Sequence, residues 1–426
     1  MTDGFSNVRN LSVQEWYNVV PDIPLSLPPL KNSPNGKELE RLENILPRGL
    51  YKLNFSSVRY HKIPDDVSKH YVRNGRPTPL VRARHLEKYI GTSTRIYLKR
   101  EDVIPTGSFK LNTAIAQVAQ AKAEGYSGVV TETGAGQWGL ALSVASTLYG
   151  LKCVIFMAHC SYNHKLNRRK LMEMFGATVY SSPSQITGVG RTILQDNKEH
   201  PGSIGMAISE AIEFALQHNS YAYTAGSNFN YVYLHQSVIG LETIQQLKAL
   251  GETPTTAIAC MGGGSNFSGF VLPLVFGKNS FNTKPQMVAC ESTAVPRLTK
   301  GKYRYDHGDS AGLTPLAKVY TLGRDFIPPP IHVGGLRQHN SSLMISALFH
   351  AGMIRAIAFS EKEAFEAGML LARLEGIFAA PESCHAVCGV IQIAKESANR
   401  EKNTVIVCCV SGSGILDLAG YTQYNT

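Results

Sequence analysis

From about residue 76 the chain alternates between short apolar runs and longer segments that carry one apolar face. Residues 95–99, Arg-Ile-Tyr-Leu-Lys, alternate with a period of two, as a strand does. Residues 110–124 place Leu111, Ile115 and Val118 on one helical face, with Gly125 as a stop. The pattern then predicts a strand at 128–132, a helix at 137–149, a strand at 152–157, a helix at 165–175 and a strand at 178–181. Gly150 and Gly176 close the two helices. This β-α-β-α-β order predicts a parallel sheet covered by helices.

A second series follows. Residues 256–261 and 286–291 read as strands, with a helix starting near Asn266 between them. Helices are predicted over 361–374 and after Pro381, and a strongly β-branched strand over 403–410. The two series predict an α/β protein of two domains, about 76–230 and 231–426, with parallel sheets and a cleft between them. Before them, Pro21, Pro24, Pro28, Pro29 and Pro34 argue against early regular structure, so residues 1–75 read as an arm packed on the core.

Composition narrows the class. At 426 residues, 43% apolar and 17% charged, the chain reads as a soluble globular protein too long for one simple core. The net charge of +10 has no long basic block behind it. Its densest basic run, residues 164–170, reads as the solvated face of a helix, so no nucleic-acid partner is expected. The excess charge instead favours anionic substrates and a phosphate-bearing cofactor. No apolar stretch approaches the ~20 residues that span a bilayer, so no membrane partner is expected. The N-terminus, Met1-Thr2-Asp3-Gly4, lacks a signal-peptide pattern. Eight cysteines are scattered, several inside apolar runs, as in a reducing, cytoplasmic setting. Cys384-His385 and Cys388 lack a second ligand pair, so no metal site is predicted.

Three dissimilar loops follow predicted strands or open predicted helices, and ligands of open α/β sheets bind at the carboxyl ends of strands. Lys110, in Gly107-Ser108-Phe109-Lys110-Leu111-Asn112, opens a helix. The positive helix end and nearby cations should lower its amine pKa and favour attack on an aldehyde. Gly262, Gly263, Gly264, Ser265 and Asn266 fit one phosphate, because adjacent glycines let backbone N–H groups converge at a helix start. A dinucleotide loop is the rival; Glu291 ends the next strand as a ribose-binding acid would, but Phe267 occupies the last glycine position. Ser411, in Ser411-Gly412-Ser413-Gly414, can donate a neutral hydrogen bond to a pyridine nitrogen. An imine-forming lysine, a single-phosphate loop and such a serine together describe a pocket for pyridoxal 5′-phosphate. A hydroxyl at the ring nitrogen favours β-elimination and β-replacement over transamination. Glu132 ends a strand and can act as general acid and then base. After it, Thr133, Gly134, Ala135, Gly136 and Gln137 can hold a substrate carboxylate.

At these residues the chain resembles the tryptophan synthase β-subunits, specifically their second, larger type. The resemblance runs over almost the whole length. It includes Arg76-Pro77-Thr78-Pro79-Leu80, Gln137-Trp138-Gly139, His235-Gln236, Gly334-Gly335-Leu336-Arg337 and Glu375-Gly376-Ile377. It implies fold type II of the pyridoxal-phosphate enzymes, with the cofactor in the interdomain cleft, a mobile subdomain at about 125–215 and a homodimer that acts without the usual α partner. It implies Lys110 as the Schiff-base lysine, Glu132 as acid/base, and Asn112, the 262–266 loop, Glu375 and Ser411 around the cofactor. Family members often use a monovalent cation, which is therefore an expectation here. The activity implied is condensation of L-serine, through an aminoacrylate, with indole to give L-tryptophan.

Besides Leu111, where the second type often has Pro or Ile, four positions depart from the family. Phe109 stands where His is usual before the lysine, Tyr231 where His is expected, and Ser413 and Ile415 where the second type carries histidines. Fewer imidazoles make the pocket more apolar. Ser-Phe-Lys is also the form typical of serine and threonine dehydratases. Three alternatives therefore stay open: β-replacement with another nucleophile in a specialised pathway, a serine or threonine dehydratase, and a cofactor-binding protein without turnover.

Overall fold

The structure, a computed structural model, describes residues 13–278, 280–397 and 404–424. The first twelve residues of the arm, and residue 403 at the start of the last predicted strand, lie outside them. Two parallel sheets carry the fold. The smaller has four strands in the order Ala177–Ser182, Lys152–Ala158, Gly128–Thr133, Tyr221–Tyr223, all parallel. The larger has six, in the order Ile354–Phe359, Gln286–Ser292, Thr256–Cys260, Val405–Val410, Arg95–Arg100, Leu80–Arg82. Only the edge strand Leu80–Arg82 runs antiparallel.

The central strands show why these runs form parallel sheets. Every residue of Val405–Val410, Thr256–Cys260 and Gly128–Thr133 is buried. Helices cover both faces, so a continuous apolar run replaces in/out alternation. The covering helices start and stop on local chemistry. Glu361–Glu375 opens on a Ser360/Glu363 capping box, and Gly376 closes it at φ 66°. The predicted helix over 137–149 is Gln137–Tyr149, and 110–124 is Leu111–Ala123.

Two expectations change. The strand Arg95–Arg100 does not join the strands that follow it in sequence. It pairs in parallel with Val405–Val410, beside Thr256–Cys260 in the larger sheet. Periodicity finds strands but not partners 310 residues away. The arm is also more regular than its prolines suggest. It contains the helices Glu38–Ile45, Arg48–Asn54 and Asp65–Arg73 and the antiparallel pair Glu15–Tyr17 with Tyr60–Lys62. The five prolines all precede Asn35, while Pro47 and Pro64 stand at helix N-caps, where a missing N–H costs no helical bond. The arm is fixed by buried Trp16 and Tyr17, and the Tyr17 N–H donates to Ser237 Oγ at 2.8 Å. No helix among the described residues is long and apolar enough to cross a membrane.

Candidate active site

A cavity of about 650 Å³ opens where loops from both sheets meet the arm. Lys110, Glu132, the 262–266 loop and Ser411 all line it, together with Thr133, Gly134, Ala135 and Gln137. The sequence-distant loops are stitched together by backbone bonds. The Phe109 N–H donates to the Ser411 carbonyl at 3.1 Å, and the Ser413 N–H to the Gly107 carbonyl at 2.8 Å. Lys110 is the N-cap of Leu111–Ala123. Burial is the main cause that lowers its amine to about 8; Cys260, Glu382 and Glu132 pull the other way. The expected causes were the helix end and nearby cations; enclosure is the main effect, and the charged groups acting on Lys110 are acidic.

Glu132 behaves in the opposite sense. Burial raises its carboxyl to about 7, against hydrogen bonds from Tyr223, its own backbone and Thr131 and the charge of Lys110. A carboxyl poised near neutrality can both give and take a proton. The next residues lead into the first turn of Gln137–Tyr149, where backbone N–H groups suit a carboxylate. Gly136 is the exception, since it does not line the cavity. It adopts φ 89° against Arg168, so its role is to turn the chain into the helix.

The glycine loop leaves the strand Thr256–Cys260 and enters the helix Ser265–Phe276. A Cβ on Gly263 would lie 2.2 Å from Ser227 Oγ and 2.9 Å from Asn228 Oδ1. Gly264 takes φ 112°, a conformation closed to other residues. Ser227 Oγ, Asn228 Oδ1 and Asn266 Oδ1 are buried without a protein hydrogen-bond partner. Unsatisfied buried polar atoms call for a ligand or water, and here they surround converging N–H groups at a helix start. Behind the loop, the buried Arg297 guanidinium donates to the carbonyls of Met261 and Gly262 and to that of Leu336. Burial lowers Arg297 to about 10. Ser411 Oγ lies 2.7 Å from Ser383 Oγ and 3.4 Å from Cys260 Sγ. Cradle, serine and lysine together fit a phosphorylated pyridine aldehyde.

Comparison with known proteins agrees. Residues 72–412 match the family described as pyridoxal-phosphate dependent enzyme. The tryptophan synthase beta chain 2 of Thermotoga maritima is 50% identical over 422 residues, 97% of this chain and 99% of that one. That of Methanothermobacter thermautotrophicus is 48% identical over 411 residues, 96% of each. The chain belongs to the tryptophan synthase β-chain family. It is a pyridoxal-phosphate-dependent lyase with the fold type II architecture expected from its sequence. Two solved structures share that fold at 18% identity. A fungal L-serine ammonia-lyase from Rhizomucor miehei has a TM-score of 0.60, covering 82% of this chain and 96% of that one. An O-ureido-L-serine synthase mutant has 0.57, covering 85% and 95%.

Within this β-chain frame, three further expectations need correction. Glu375 does not reach the cavity. Its Oε1 accepts the Leu86 N–H at 2.7 Å, capping the helix Arg84–Ile90, and its other oxygen faces exposed His85. Glu382, seven residues on, lines the cavity instead, as Glu132 does. Its Oε1 accepts the Gly335 N–H at 2.8 Å, its Oε2 is unpaired, and burial with Asp417 nearby raises its pKa. Asn112 is also turned away. It accepts from Arg76 and donates to Glu101 and Gln236, inside a buried network with Lys99 and Glu242 beneath the Lys110 helix. The basic run 164–170 is not simply a solvated face. Lys165 and Arg168 are buried and both bind Asp417, at 2.8 and 2.5 Å.

The rival dinucleotide acid is occupied as well. Glu291 accepts from Leu298 N, Thr299 N and Thr299 Oγ1, which leaves no free oxygen for a ribose. Of the four departures from the β-chain pattern, Phe109 alone lines the cavity. Tyr231 is fully buried behind the wall, and Ile415 is 72% exposed. Ser227, Asn228, Arg297, Tyr223 and Glu382 escaped the sequence reading. Only Glu382, the next acid after Glu375 and seven residues on, carried a usable signal.

Proposed function

We propose that the chain condenses L-serine with indole to give L-tryptophan. The carrying observation is the lining of the cavity. Beside Lys110 and Glu132 it includes the apolar or aromatic side chains of Leu27, Pro28, Leu42, Tyr51, Ile204 and Phe229. A serine deaminase needs no room beyond the amino acid, whereas a β-replacement enzyme must seat a second, apolar reactant. A cavity of this size is within the ~300–1,000 Å³ range that holds cofactor and ligands.

Gly262–Asn266, with Ser227 and Asn228, would hold the phosphate, and Ser411 the ring nitrogen. When bound, pyridoxal phosphate supplies the electron sink that weakens bonds at Cα and Cβ of an amino acid. Lys110, with its amine near 8, takes the Cα proton of serine and later returns it. Glu132 delivers a proton to the departing β-hydroxyl and recovers one from the ring of the nucleophile. The first turn of Gln137–Tyr149 binds the serine carboxylate. The walls exclude water, which would otherwise divert the reaction to pyruvate and ammonia. A cytoplasmic homodimer without an α partner, and a subdomain at about 125–215 that closes over the cavity, belong to the same reading.

The test is serine with and without indole, products read by mass spectrometry. Tryptophan supports the reading, and pyruvate alone overturns it in favour of a deaminase. Phe109 on the wall favours one second reading. Serine turnover that ignores indole but accepts another apolar nucleophile would establish that alternative.

A further inference from the structure

Glu132 and Tyr223 stand on neighbouring parallel strands. Tyr223 pairs with Val130, two residues before Glu132. Residues two apart on a strand share a face, so the phenol lies beside the Glu132 carboxyl and reaches it along the strand. The phenol O–H donates to Glu132 Oε2 at 2.8 Å. Both residues are buried and both line the cavity.

The other side-chain contact to Oε2 is weak and its hydrogen is committed. Thr131 Oγ1 lies 3.4 Å from Oε2, but it donates to the Thr224 carbonyl at 2.5 Å and accepts from Trp138 Nε1 at 2.6 Å. A hydroxyl has one hydrogen, so Tyr223 is the effective side-chain donor to Oε2. Burial, Glu132 and the nearby Tyr231 and Asp309 keep the Tyr223 phenol far above its usual range, hence a permanent donor. An oxygen that accepts a strong hydrogen bond is the poorer place for a proton.

We propose that Tyr223 is a positioning residue for Glu132: it fixes the carboxyl rotation and confines the transferable proton to Oε1, toward the substrate. This rests on the acid/base role given to Glu132 above. The proton on Oε1 leaves with the β-hydroxyl as water, and Oε1 receives a proton from the incoming nucleophile, so the carboxyl is restored each turnover. The charged or titratable groups that face Glu132 are Lys110, Tyr223 and Tyr231. Lys110 favours the ionised carboxyl; Tyr231, with its hydroxyl unpartnered and its pKa far above 10, stays neutral.

The test is Tyr223→Phe in the holoenzyme, which keeps the ring and its packing. Losing a donor to a carboxylate should move the Glu132 limb of the kcat–pH profile up by about one unit, with kcat down roughly tenfold and the serine KM little changed. Serine consumption is followed whatever the product, so the choice of nucleophile does not enter. Infrared titration of the carboxyl C=O band, assigned by its loss in Glu132→Gln, reads the same shift without turnover. A band midpoint that moves up supports the proposal even if the enzyme ignores indole. An unmoved midpoint with an unchanged profile overturns it, whatever happens to thermal stability.

Discussion

Asp417 is the sharpest point at which to perturb the molecule. Its carboxylate is nearly inaccessible and binds two cations, Lys165 and Arg168, whose side chains are 8% and 3% exposed. Asp417→Asn keeps the volume and removes the charge, leaving two buried cations with only the more distant Glu382 carboxyl to offset them. Removing one partner of a buried pair costs about 3–5 kcal/mol. For 426 residues the unfolding entropy is roughly 0.9 kcal/mol/K, so the expected loss is ~3–6 °C in Tm. Calorimetry on the holoenzyme measures it. Removing Arg168 as well, by Arg168→Met in the same chain, should recover part of the loss, since one uncompensated charge disappears. The pH dependence has a definite sign. Burial alone would raise Asp417, but Arg168 and Lys165 outweigh it and hold it below 3.8. Its stabilisation is therefore complete above about pH 4 and lost as pH falls through the depressed value, a loss Asp417→Asn should lack. A Tm within 1 °C of wild type at neutral pH would show that the triad is not load-carrying and refute the reasoning.

Glu132→Gln should lower turnover at least ~100-fold, the usual scale for general acid–base work, measured by serine consumption at saturating substrate. It should also flatten a stability slope. Because Glu132 is raised from 4.5 to about 7, its contribution is complete below 4.5 and lost as pH rises to about 7, and the glutamine variant should not show that loss. Glu375→Ala should cost ~0.5–2 kcal/mol through the lost cap and leave kcat near wild type, whereas Glu382→Gln should lower kcat with little change in Tm. Gly263→Ala puts a methyl against Ser227 and Asn228 and should weaken pyridoxal-phosphate affinity, read by absorbance titration, in a chain that still folds.

Local signals in the sequence were strong where a residue's task is local. The helix Gln137–Tyr149 and the strands around it follow from periodicity and from Gly150, and Lys110 and the 262–266 loop follow from their own spacing. What stayed hidden depends on partners far along the chain. Arg297 lies 35 residues from the Gly262 carbonyl it holds, and Tyr223 is 91 residues from Glu132. Lys165 and Arg168 read as solvated because the acid that buries them is about 250 residues away. Glu375 and Glu382 illustrate a different limit. Both are acids near one helix junction, and sequence alone does not tell which side of the backbone faces the cavity.

The position of Val405–Val410 has a consequence for biosynthesis. The four-stranded sheet draws on a contiguous stretch, 128–223, and can form while the rest of the chain is still being translated. The six-stranded sheet cannot, because the strand that bridges Thr256–Cys260 to Arg95–Arg100 comes after all its other strands in chain order. Until it emerges from the ribosome, the nascent polypeptide holds two half-sheets with open edges and lacks Ser411, so the vitamin B6 pocket stays incomplete until then. A stop codon shortly before residue 405 would therefore split the molecule through its middle rather than trim its end.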